Sequence, residues 1–74
     1  MDDVTYTKGL YTATASVHPV EAGQQFQGHV LLVRDEGDSP ERTDYDVDAT
    51  SSTPEEALEE AKALAHRILG KIEL

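Results

Sequence analysis

Thr43-Asp44-Tyr45-Asp46-Val47-Asp48-Ala49-Thr50 places an aspartate at every second position, with Tyr45, Val47 and Ala49 between them. Side chains alternate sides along an extended strand, so this stretch reads as a strand with carboxylates on one side. Its other side offers a tyrosine and two small apolar groups to a core. A sheet buried on one face and wet on the other follows from that alternation.

The remaining strands are read outward from this one. Gly9 to Val17 interleaves Leu10, Tyr11, Ala13, Ala15 and Val17 with Thr12, Thr14 and Ser16, which predicts a first strand with Tyr11, Ala13, Ala15 and Val17 facing inward. The small alanines leave room for a helix to approach. His18-Pro19 is expected to close that strand, since proline lacks a ladder donor, and Val20-Glu21-Ala22-Gly23 makes a hairpin-length connection. The second strand spans about 25–34. Phe26, Val30 and Leu32 lie on one face, and Gln27, His29, Leu31 and Val33 on the other. Apolar residues on both faces at Val30-Leu31-Leu32-Val33 suit a central position. Gly28 marks a bulge or a close approach of the helix. Asp35-Glu36-Gly37-Asp38-Ser39-Pro40-Glu41 is a polar turn, and the acidic strand follows over about 42–51. Its aspartates suit an edge, because charge discourages pairing with other chains.

A helix is predicted over about 54–69. Thr53 is the N-cap, Pro54 occupies the first helical position, and Glu56 completes a capping box. Glutamates crowd the first half, while Lys62, His66, Arg67 and Lys71 come later, an order that complements the helix dipole. Ala57, Leu58, Ala61, Leu64, Ala65, Ile68 and Leu69 form an apolar stripe. Gly70 is the expected C-cap, with Ile72 and Leu74 in a short packing tail. The fold expected is therefore α+β: a three-stranded antiparallel meander with one C-terminal helix across one face, as a single βββα domain over 1–74.

Composition narrows the function. Fifteen acidic residues against six basic ones give a net charge of −9. The basic residues are scattered, so no phosphate-binding patch is expected, and neither nucleic acid nor an anionic membrane is a natural partner. Cysteine is absent, which removes disulfide and thiolate chemistry. Met1-Asp2-Asp3-Val4-Thr5 has neither the basic segment nor the apolar run of a signal peptide, and no apolar stretch approaches the ~20 residues of a membrane span. The expected location is cytoplasmic. At 74 residues the core is small. A chain of this size is a monomer of modest stability or a weak homodimer.

Two constellations invite a chemical reading. Asp44, Asp46, Asp48, Thr50, Ser52 and Glu55 match the ligand spacing of an EF-hand calcium loop, which makes a calcium-responsive domain the alternative function. Against it, Ala49 replaces the turn glycine, Pro54 interrupts the loop, and aspartates two apart in a strand are about 6.6–6.8 Å apart. His29 shares its sheet layer with aspartates and hydroxyls, the ingredients of a hydrolytic triad, but neither a nucleophile turn nor an oxyanion pocket is apparent. No glycine-rich phosphate loop is present. The expectation is a protein that is not an enzyme and needs no cofactor. It would be an interaction module meeting a protein partner, or a second copy, through an exposed sheet face or edge. The candidate interaction residues are Leu10, Thr12, His29, Leu31, Val33 and Asp46.

The order strand, strand, strand, helix, with Thr53-Pro54-Glu55-Glu56-Ala57-Leu58-Glu59-Glu60-Ala61 opening the helix, resembles the HicB-type antitoxins. That resemblance implies a three-stranded sheet followed by a helix. The chain is also similar to small proteobacterial proteins of βββα order with no assigned activity. No functional residue is carried over from either group.

Overall fold

A computed structural model describes residues 3–20, 24–35 and 37–72. The architecture is an antiparallel sheet with one C-terminal helix packed on it, but the sheet has four strands rather than three. They are β1 (Val4–Lys8), β2 (Tyr11–Val20), β3 (Gln25–Arg34) and β4 (Glu41–Ser51), in the spatial order β1-β2-β3-β4, followed by α1 (Pro54–Gly70).

The additional strand is β1, which pairs with β2 from Val4↔Ala15 to Lys8↔Tyr11. Gly9 and Leu10 are the two-residue turn between them. Gly9 has φ 60°, and among the described residues positive φ occurs only at glycines. This is the type II′ pattern, with glycine first, whose twist suits a hairpin. The expected start of the first strand at Gly9 was therefore the turn itself.

β2 also runs further than expected, through His18 and Pro19 to Val20. Backbone direction explains why Pro19 is tolerated. The Asp35 N–H donates to the Leu10 carbonyl at 2.8 Å, so even-numbered residues of β2 aim their backbone groups at β3. Odd-numbered ones aim at β1. Since β1 ends opposite Ala15, the missing N–H of Pro19 faces an edge that no described strand covers. The Glu21-Ala22-Gly23 connection lies outside the described residues, as do Glu36 and Leu74.

The core is built from small side chains. Ala13 and Ala15 on β2 and Val30 on β3 meet Ala61, Ala65 and Leu69 on α1, flanked by Tyr6, Tyr11, Leu32, Tyr45, Val47, Leu58, Leu64, Ile68 and Ile72. The buried helix residues Ala57, Ala61, Ala65 and Leu69 recur every fourth position, so α1 lies close along the sheet. Thr53 Oγ1 accepts from the Glu56 N–H at 3.1 Å, as a cap should. The C-terminus differs from expectation. Gly70 stays helical and Lys71 is the cap, with φ −87° and ψ −10°. Lys8 adds to this end by donating through Nζ to the carbonyl of Leu69 at 2.9 Å, which also accepts from the Ile72 N–H, and to that of Ile72 at 3.0 Å. A lysine at a helix C-terminus also opposes the negative end of the dipole.

Candidate functional site

The helix covers one face of the sheet, and the register defines what remains on the other. Thr5, Thr14, Leu31 and Asp44 form one row across all four strands, and Thr7, Thr12, Val33 and Arg42 form the next. Ser16, His29 and Asp46 make a third row, followed by His18, Gln27 and Thr50. Thr12, His29, Leu31, Val33 and Asp46 thus share this outer face. Leu10 does not lie in its ladder. It sits in the β1–β2 turn at the end of the sheet and is 54% exposed.

His29 is the electrostatic centre of the face. Its Nδ1 lies 2.9 Å from Asp46 Oδ1 and its Nε2 lies 3.1 Å from Asp44 Oδ1. A carboxylate can only accept, so both contacts are satisfied together when both ring nitrogens carry protons. The bond to Asp46 holds the imidazole above its ordinary value of 6.5, with Asp44 adding to it and partial burial opposing it. His18 stands nearby, its ring centroid 6.1 Å from that of His29. When both nitrogens are protonated, His29 offers no lone pair to a neighbouring hydroxyl such as that of Ser16. The arrangement clamps a cation between two carboxylates and ties β3 to β4.

The clamp depends on an irregularity in β4. Gln27 pairs with Thr50 but His29 pairs with Asp46, so Val47, Asp48 and Ala49 stand opposite Gly28 alone. Two surplus residues keep the inward and outward alternation of β4 on both sides of the bulge. The Gln27 side-chain amide donates to the Val47 carbonyl at 2.9 Å, satisfying a backbone group the bulge takes out of the ladder. Asp48 is carried into the bulge and lines an open cleft of about 230 Å³ between β4 and α1, with Glu60, Leu64 and Arg67 opposite.

This placement separates the residues of the calcium reading. Asp44 and Asp46 are engaged by His29, Asp48 lies in the bulge, and Glu55 is in the first turn of α1. Among the described residues no group of three or more His, Asp or Glu side chains is arranged to hold a metal ion. No described helix is long and apolar enough to cross a membrane. What sequence reasoning missed is the pairing of His29 with both aspartates. Alternation put the three side chains in one layer, but only the register brings them into contact. No family model, curated protein or solved structure matches the chain.

Proposed function

We propose that this protein is a non-enzymatic interaction module whose outer sheet face receives a basic segment of a protein partner. The observation that carries this reading is the uncovered face itself. No described element packs on it, and it holds the half-buried Leu31 and Val33 beside the acidic β4 edge. Two aliphatic side chains provide apolar area to bury, with threonines on one flank and Asp44 and Arg42 on the other. Charge supplies the choice of partner. A chain of net charge −9 attracts a cationic segment and repels an acidic one.

The test is capture of partners by tagged protein from host lysate, with a Leu31→Asp variant in parallel. The expected partner is basic, elutes with salt and is lost from the variant, while far-UV circular dichroism and Tm stay nearly constant. Equal capture by the folded variant would remove the outer face from consideration.

A further inference from the structure

The two edges of the sheet are built differently. β4 carries four acids, Glu41, Asp44, Asp46 and Asp48, against one base, Arg42, and is interrupted by the bulge at Val47–Ala49, both devices that deter strand pairing. β1, Val4-Thr5-Tyr6-Thr7-Lys8, has neither acid, proline nor bulge. Its one charge, on Lys8, is turned to the carbonyls at the end of α1. From this contrast we infer that β1 pairs antiparallel with β1 of a second copy, giving a two-fold symmetric dimer with a continuous eight-stranded sheet.

Backbone direction specifies the register. Tyr11, Ala13 and Ala15 aim their backbone groups at β1, so their partners Lys8, Tyr6 and Val4 are bonded inward. The N–H and C=O groups of Thr5 and Thr7 therefore point to the open edge. Thr5 opposite Thr7 of the second copy uses all four groups on each chain and overlaps the full strand. That register sets Tyr6 against Tyr6 at the two-fold axis and Val4 against Lys8, with no like charges opposed. The exposed Thr5 and Thr7 side chains extend the outer face without a break.

Charge decides between β1 and β4 as the shared edge. Strands lie about 4.8 Å apart, so pairing through β1 puts the two acidic β4 strands seven spacings, roughly 34 Å, from one another. At physiological salt that is several Debye lengths of about 8 Å. Pairing through β4 would instead press aspartate rows together. The occupant is thus a second copy of this chain, and the dimer needs no other partner.

Sedimentation equilibrium of the purified protein should show a concentration-dependent dimer that tightens as salt rises, because each copy carries a net charge of −9. Thr7→Pro removes an outward N–H without touching the β1–β2 ladder, and should weaken the dimer about tenfold or more. Thr5→Cys and Thr7→Cys test the register in a chain that has no native cysteine. Mixed together and oxidised they should form a disulfide-linked heterodimer, because a hydrogen-bonded antiparallel pair has Cα atoms about 5.5 Å apart. Each variant alone should not cross-link, its two cysteines being more than about 7 Å apart. A wild-type monomer up to about 1 mM, or cross-linking of either variant alone at the rate of the mixture, would overturn the inference.

Discussion

A Cβ built on Gly28 would lie 2.9 Å from the Ala61 Cβ and 2.6 Å from the Ala57 carbonyl oxygen, so β3 meets α1 through bare backbone. Val47 closes the same spot from β4 at 3.0 Å. A methyl group here cannot be absorbed by a flexible side chain, because its nearest neighbour is main chain. Gly28→Ala is therefore expected to destabilise the fold by about 2–3 kcal/mol. For a domain of this size that lowers Tm by roughly 10–20 °C. A variant melting with the wild type would show that the helix and sheet are not in contact at this point.

Lys8 joins the first strand to the last turn of the helix. Lys8→Met keeps most of the apolar stem and removes the ammonium that the Leu69 and Ile72 carbonyls accept from. The expected loss is about 1–2 kcal/mol in urea titration. Amide exchange should accelerate chiefly in the last turn of α1. Unchanged exchange there would mean that solvent satisfies these carbonyls equally well.

The His29 clamp predicts a pH dependence of definite sign. Its folded-state pKa is raised, so its contribution is fully present below the unfolded value of 6.5 and is lost as pH rises through the folded one. The side chain of His29 is 23% exposed and those of Asp44 and Asp46 are 70% and 60% exposed. Solvent screening therefore limits the effect to about 0.5–1 kcal/mol. Wild-type stability should decline above pH 6.5 relative to that of His29→Gln. Parallel profiles for the two proteins would contradict the clamp.

The helix start gives a cleaner local test. Thr53→Ala removes the acceptor for the Glu56 N–H and should cost about 1 kcal/mol. Thr53→Asp keeps an acceptor and should restore most of that stability. Equal losses in both would assign the effect to something other than the cap.

The helix was legible from residues alone because its determinants are local. Thr53, Pro54 and the four-residue recurrence of Ala57, Ala61, Ala65 and Leu69 act within a few turns, and tertiary packing only selected which side to bury. The inward and outward alternation of β2, β3 and β4 was equally legible, since a period of two is a property of any extended chain. β1 went unread although Val4-Thr5-Tyr6-Thr7 alternates apolar and hydroxyl side chains as β2 does, because at five residues the run is short and its place is set by pairing with β2. Gly9 was the available signal, a glycine at the first position of a two-residue turn between two β-rich runs. Pro19 misled for a related reason: its cost depends on whether a neighbour lies beside it, and β1 stops short of that height.

Sequence by itself determined which residues share a layer, namely His29 with Asp44 and Asp46, and which face the alanine-lined helix. Tertiary structure alone decided that Asp44 and Asp46 close on the two nitrogens of His29 while Asp48 is carried away. The physical reason is register. Two surplus residues in β4 leave its alternation unchanged and shift its pairing partners, so the same alternating pattern is compatible with several pairings. The close approach of α1 over Gly28 and the Gln27 bond to the Val47 carbonyl exist only in the folded state, where they accommodate the bulge.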